Sequence, residues 1–318
     1  MSLEIITRKL NLNRTLIQMQ NFQNRVNTII ILCVILFGSL VSCKVEKNDD
    51  DLVEEESFEQ YQASVANRQL LNDEIEAFLT RLPSPTEILF KLESEGVIYN
   101  ESLINNLEKA DSYLTHSDIT AINLGVYASD IAYLSAFDKY QKVIYYLEAS
   151  RKMSDYIGVT SAFDIEIMEE FKEKFGDKSA IESLINQSIR RTTGILRTDE
   201  RAQAAILFLA GAYIEALHIS SYQVNPNNVL GLAGLNDKNE IIVMIRDLEE
   251  SLDGIIDLLR QLDSNEMIDA FILDFQALKD SFQGIKTDQE DGITDPKYLI
   301  AFAIEVNSIR TKLISPQI

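Results

Sequence analysis

Two carboxylic acids stand among apolar neighbours, and chemistry would start from them. Glu215 and His218 lie three apart in Leu209–Ser220 (LAGAYIEALHIS), a spacing that places both on one face of a helix. Glu-x-x-His is half of a ferritin-like di-iron site. The other half would need a second copy of the pair. The only other histidine, His116, follows Ser112-Tyr113-Leu114-Thr115, so that site does not assemble. The plainer expectation is a buried Glu215 held by a hydrogen bond from a tyrosine or from His218; no metal and no cofactor is expected. Asn123, Tyr127, Asp130 and Tyr133 form a second polar set on one helical face, surrounded by Leu124, Val126, Ile131 and Leu134. A carboxyl in apolar company keeps its proton unless donors surround it. Asp130 is therefore either a paired core residue or a site residue. If it faced Glu215 across a bundle, the two could work as paired carboxylates. Tyr127, Asp130, Tyr133, Glu215 and His218 are the candidate ligand-binding residues. No residue is assigned a catalytic role.

Other motifs are missing. Ser220 and Ser221 lie close to His218, but no Gly-x-Ser-x-Gly elbow accompanies them. There is no Gly-x-Gly-x-x-Gly and no phosphate-binding loop. Asp288-Gln289-Glu290-Asp291-Gly292 comes nearest to a calcium loop and lacks the closing Glu. Tyr140, Tyr145, Tyr146 and Tyr156 suit a core or, with wet hydroxyls, a partner surface.

The elements that must position these residues read as helices throughout. Ile241, Ile245, Leu248, Leu252, Ile255, Leu259 and Leu262 alternate steps of four and three, which predicts an amphipathic helix over 238–262. Phe302, Val306, Ile309 and Leu313 repeat the pattern after Pro296, a residue suited to a first helical turn. Tyr61 to Leu82 predicts an early helix that Pro83 ends. Residues 199–222 are apolar on nearly every side, which predicts a central buried helix with Asp199 at its cap. It is not expected to span a membrane, because only the 11 residues Ala204–Ile214 precede Glu215. Further helices are expected over 86–95, 101–114, 117–157 (broken once), 163–175, 178–196 and 266–282. The longest loop is 224–236, rich in Asn, Gly and Pro. One partial tetratricopeptide match, Leu124-Gly125, does not make a repeat. The expected fold is all-α, an irregular bundle of about ten helices.

Composition removes several classes. The chain has 318 residues and carries 50 acidic against 29 basic ones, a net charge of -21 that repels phosphate backbones, so no nucleic-acid partner is expected. Two Cys and two His cannot build a disulfide scaffold or a zinc-finger array.

The N-terminus reads as an address. Thr28–Val41 is an apolar run of 14 residues, with Arg25 before it and Ser42-Cys43-Lys44 after it. A basic flank, a short apolar run and a small residue at the junction describe a signal peptide over 1–42, with Met19 as an alternative start. Leu40-Val41-Ser42-Cys43 resembles the lipobox of bacterial lipoproteins. That resemblance implies cleavage before Cys43 and lipidation of its thiol, hence a bilayer anchor. Cys33 would be lost with the signal. Residues 43–58 then form a lipidated acidic tether, expected to be solvated and extended, and residues 59–318 the helical domain. Acidic residues soon after such a Cys are similar to surface-export signals of Bacteroidota lipoproteins; here Asp49-Asp50-Asp51 begins six residues on. The resemblance implies the outer membrane, at its periplasmic or its outer face. The segments 123–159 and 209–220 resemble segments of all-helical Bacteroidota lipoproteins, a group that carries no activity to transfer. The expected function is a non-enzymatic envelope lipoprotein acting as a binding or scaffold module, with envelope proteins as possible partners. The alternative is an envelope enzyme, or a small-ligand or metal carrier using buried carboxylates.

Overall fold

A computed structural model of the chain describes residues 49–81, 86–159, 165–198, 201–227, 240–285 and 295–315. Cys43, the apolar run over 28–41, Pro83, Asp199 and most of the 224–236 loop lie outside the described residues. Among the described residues there are ten α-helices, two stretches of 3₁₀ helix and no strand. The chain is an all-α multi-helix bundle.

The first helix, α1, runs Asp49–Arg81. The acidic stretch is therefore helical from Asp49 onward rather than extended; acidic residues are favoured in a first helical turn, where the macrodipole is positive. The rest of the fold belongs to the compact unit Ala63–Ile318.

Two helices form its centre. α3 (Ser117–Ala136) and α7 (Ala202–Val224) have buried residues on every side, including Asn123, Asp130 and Glu215. By length and composition α7 could cross a membrane, yet its most apolar window is wholly enclosed by the protein. It starts two residues later than the sequence suggests, with Arg201 rather than Asp199 at the cap position. α3 and α7 cross at two glycines. A Cβ on Gly125 would meet the carbonyl oxygen of Phe208, and one on Gly211 the carbonyl oxygen of Ile122. Only hydrogen at both positions lets the backbones touch. Ser129 Oγ then donates across the crossing to Ala212 O at 2.7 Å.

The outer helices pack around this pair. α2 (Glu87–Ser94), α4 (Tyr140–Tyr156) and α6 (Lys178–Thr198) pack against α3, and α6 also against α7. α5 (Ile165–Glu173) turns Ile167, Met168 and Phe171 inward. α8 (Glu240–Leu259) and α10 (Pro296–Leu313) pack on α7, with α9 (Glu266–Ile285) against both of them. The four-three stripe of α8 is buried from Ile241 to Leu259. α10 starts as expected: Asp295 Oδ1 accepts from Lys297 N at 3.0 Å, with Pro296 in the first turn. The break between α3 and α4 falls at Asp138, whose φ of 57° lies in the left-handed region, while Lys139 N bonds back to Leu134 O at 2.9 Å.

One expected helix does not form. Residues 101–114 make two 3₁₀ segments instead, Glu101–Leu103 and Leu107–Tyr113. Asn100 Oδ1 accepts from Ser102 N at 3.0 Å, and Asn106 Oδ1 from Glu108 N at 2.9 Å. Short polar side chains that bond their own backbone compete with the α-helix. The tighter chain leaves backbone groups that side chains of the core must satisfy.

Candidate functional site

Those unsatisfied groups explain where the candidate residues point. Asp130 Oδ2 accepts from Asn105 N at 3.1 Å. Tyr133 Oη accepts from Asn100 N at 2.9 Å. Tyr127 Oη donates to Asn106 O at 2.9 Å, and Tyr146 Oη to Asn105 O at 2.6 Å. Arg310 Nη2 donates to Leu103 O at 3.1 Å. Tyr113, from the second 3₁₀ segment, reaches back to Ile314 O at 3.1 Å and accepts from Asn105 Nδ2. Three helices, α3, α4 and α10, thus hold an irregular segment by its peptide groups. Each such bond contributes about 1 kcal/mol, while a buried group left without its partner costs about 1–3 kcal/mol.

Beneath this segment lies a charged centre. Glu215 and Asp130 are completely buried. Glu215 accepts from Arg310 Nε at 2.6 Å and from Arg310 Nη2 at 2.7 Å, a two-point pair. Asp130 is a neighbour of Glu215 within hydrogen-bonding reach. Its Oδ1 has no donor to accept from. Two carboxylates in contact need a proton between them. Burial first, and the charge of Glu215 second, push the Asp130 carboxyl well above the usual carboxylate range, with Arg310 pulling the other way. The centre therefore reads as Glu215 paired with Arg310, with the neighbouring Asp130 carboxyl held toward its protonated form. Burial works against the charge on Arg310, but the adjoining Glu215 carboxylate outweighs it and holds the guanidinium above its usual range. The three groups together carry no net charge.

The tyrosines around this centre are neutral. Burial, then Asp130, raises the Tyr127 hydroxyl, and burial pushes Tyr133 up to about 12. Tyr127 lies 5.3 Å from Tyr146, ring centre to ring centre, and meets Tyr113 edge-on at 6.5 Å. Tyr133 stacks on Tyr99 at 5.5 Å.

His218 sits apart from the carboxyl pair. It lines a cleft of about 390 Å³ between α7, α10 and the first 3₁₀ segment, with Ser102, Leu103, Ser221, Asn307 and Arg310 among its walls. Burial and the charge of Arg310 lower its imidazole to about 4, so it is neutral at physiological pH. Neither Asp130 nor Glu215 lines the cleft.

Sequence spacing thus named five residues, and the fold brings Asp130 and Glu215 into contact with Tyr127 beside them. Tyr133 serves the neighbouring turn, and His218 faces the cleft. The expected hydrogen bond to Glu215 comes from neither a tyrosine nor His218: it comes from Arg310. Among the described residues no three His, Cys, Asp or Glu side chains group so as to hold a metal ion, and both oxygens of Glu215 accept from a cation. General acid–base work needs a substrate proton within reach. The pair is closed over on all sides, so its geometry suits holding one proton and one segment in place.

Arg310, Asn105 and Tyr113 are residues that sequence spacing missed, and Tyr146 was expected only as a core or partner-surface tyrosine. One signal was present: Arg310 stands four after Val306 and three before Leu313, a cation on the apolar stripe of its own helix. A second was Glu215 alone in an apolar helix. Two such opposite charges invite pairing.

No family model matches the chain, and neither a curated protein nor a solved structure matches it.

Proposed function

We propose that the chain is a non-enzymatic lipoprotein of the cell envelope, anchored through Cys43, that works as a binding or scaffold module. The observation that carries the non-enzymatic reading is the closure of the carboxyl pair: Asp130 and Glu215 have no exposed surface and are committed to Asn105, Arg310 and each other. A catalyst would have to open the core to use them. The envelope reading is supported by the apolar run over 28–41 and by Leu40-Val41-Ser42-Cys43. It implies the outer membrane as the site of action and neighbouring envelope proteins as partners. The small-ligand alternative is favoured by the cleft at His218 and Arg310. The envelope reading is tested by intact mass and detergent partitioning of wild type and Cys43→Ala, expressed in a bacterium with lipoprotein-processing enzymes. A chain beginning at Cys43 with added lipid mass, lost in the variant, is the expected result. An unprocessed chain in both overturns the anchor.

A further inference from the structure

We propose that the cleft between α7 and α10 binds a short aliphatic carboxylate, its head on Arg310 Nη1 and the His218 imidazole, its chain along Leu103, Ala303 and Ile304. The inference deepens the binding-module reading and rests on it.

The first support is the lining. In a chain with 50 acidic and 29 basic residues, the described residues of the cleft wall include no Asp or Glu, and Arg310 is the one charged group among them. The second is the unused edge of that guanidinium. Nε and Nη2 serve Glu215 and Leu103 O, while Nη1 makes no hydrogen bond among the described residues and is not sealed from solvent. An arginine with two positions fixed in the core and a third facing a cleft is a preorganised anion donor. The third support is the apolar wall, where Ala303 is buried and Ile304 is exposed at the rim. A volume of about 390 Å³ suits a small organic ligand.

Charge decides the class. Glu215 and Arg310 cancel, and Asp130 keeps its proton, so an entering carboxylate brings one unbalanced negative charge. His218 can balance it. The charged groups acting on His218 are Arg310 from α10 and Glu215 from its own helix, and Tyr222 lies one turn further on. The 3₁₀ segment contributes only Ser102 and Leu103 to the cleft. Free His218 is neutral because burial and Arg310 disfavour its charged form. A carboxylate beside it reverses that preference. Anion and proton then enter together, and affinity falls as pH rises. A dianion such as phosphate would need a second cation, and the described lining of the cleft has none.

The chain has two histidines, and His116, at the cap of α3, is exposed and does not line the cleft, so it serves as an internal reference. The full chain is titrated with sodium propionate, and separately with propionamide, while the two imidazole Cε1–H resonances are followed by NMR. Propionate is expected to move the His218 signal saturably, to raise its apparent pKa from about 4, and to leave His116 still. Propionamide is expected to move neither. Asn307→Asp puts a carboxylate on the exposed wall without changing shape, and should weaken propionate binding about tenfold or more. His218→Gln should bind weakly and without pH dependence. Equal responses to propionate and propionamide, no saturable shift, or an unchanged Asn307→Asp would overturn the proposal. A silent His218 in a protein still lipidated at Cys43 would remove the ligand and leave the envelope module standing.

Discussion

Replacing Asp130 by Asn tests whether the buried pair shares a proton. An unfolded aspartate releases its proton near pH 3.9. In the fold, burial and Glu215 keep it on well above that. Between those two values the folded chain binds one proton more than the unfolded chain, so stability falls as pH rises, by about 1.4 kcal/mol per pH unit. The contribution is complete below the unfolded value and is lost as pH climbs through the folded one. Asp130→Asn keeps an acceptor for Asn105 N and offers an N–H to Glu215, with no proton to lose. Within the window between the unfolded and the folded value, wild type should therefore lose up to about 1.4 kcal/mol per pH unit relative to the variant. His218 slopes the other way: its folded value, lowered to about 4, favours the fold above the unfolded value and withdraws that support as pH falls. Both proteins carry His218, so the difference between them cancels it. Urea unfolding of the two at pH 5.0, 5.5 and 6.0 reads the quantity directly. Parallel stability profiles would mean that Asp130 is ionised in the folded chain, and the shared proton would have to be abandoned.

Three further outcomes are expected. Arg310→Met leaves Glu215 as a buried charge without a partner and should cost about 3–5 kcal/mol, while adding Glu215→Leu to that variant should recover part of the loss; thermal unfolding of single and double variants checks it. Gly211→Ala drives a Cβ into the Ile122 carbonyl and should destabilise by about 1–3 kcal/mol or more, because backbone cannot step aside; the midpoint of urea unfolding reports it. Tyr133→Phe removes the acceptor for Asn100 N, so hydrogen exchange at that amide should speed up while amides in the middle of α7 keep their protection.

Helix by helix, legibility in the sequence followed the strength of the apolar pattern. The four-three stripe of α8 and the all-round apolar α7 set their own burial, because period and partner coincide. The 3₁₀ course of 101–114 was illegible: its apolar residues suit a helix, and what prevails is the side-chain bonding of Asn100 and Asn106 with the tyrosine hydroxyls from α3 and α4. Asp130 and Glu215 were legible as buried acids, but not as neighbours. Their meeting depends on the register of the α3–α7 crossing, which Gly125 and Gly211 set through a close approach that single-helix periodicity does not encode. Arg310 went unnamed because a lone cation on an apolar stripe is assigned by default to solvent, whereas here it reaches inward to Glu215.

The glycine crossing also bears on when the fold appears. Ser129 and Ala212 are joined across it from 83 residues apart, so the two central helices cannot meet until a long intervening stretch has been gathered in. Closing such a span costs chain entropy before any packing repays it, and a bundle built on a distant pair folds more slowly than one built from successive hairpins. The outer helices, meanwhile, have no completed centre to rest on.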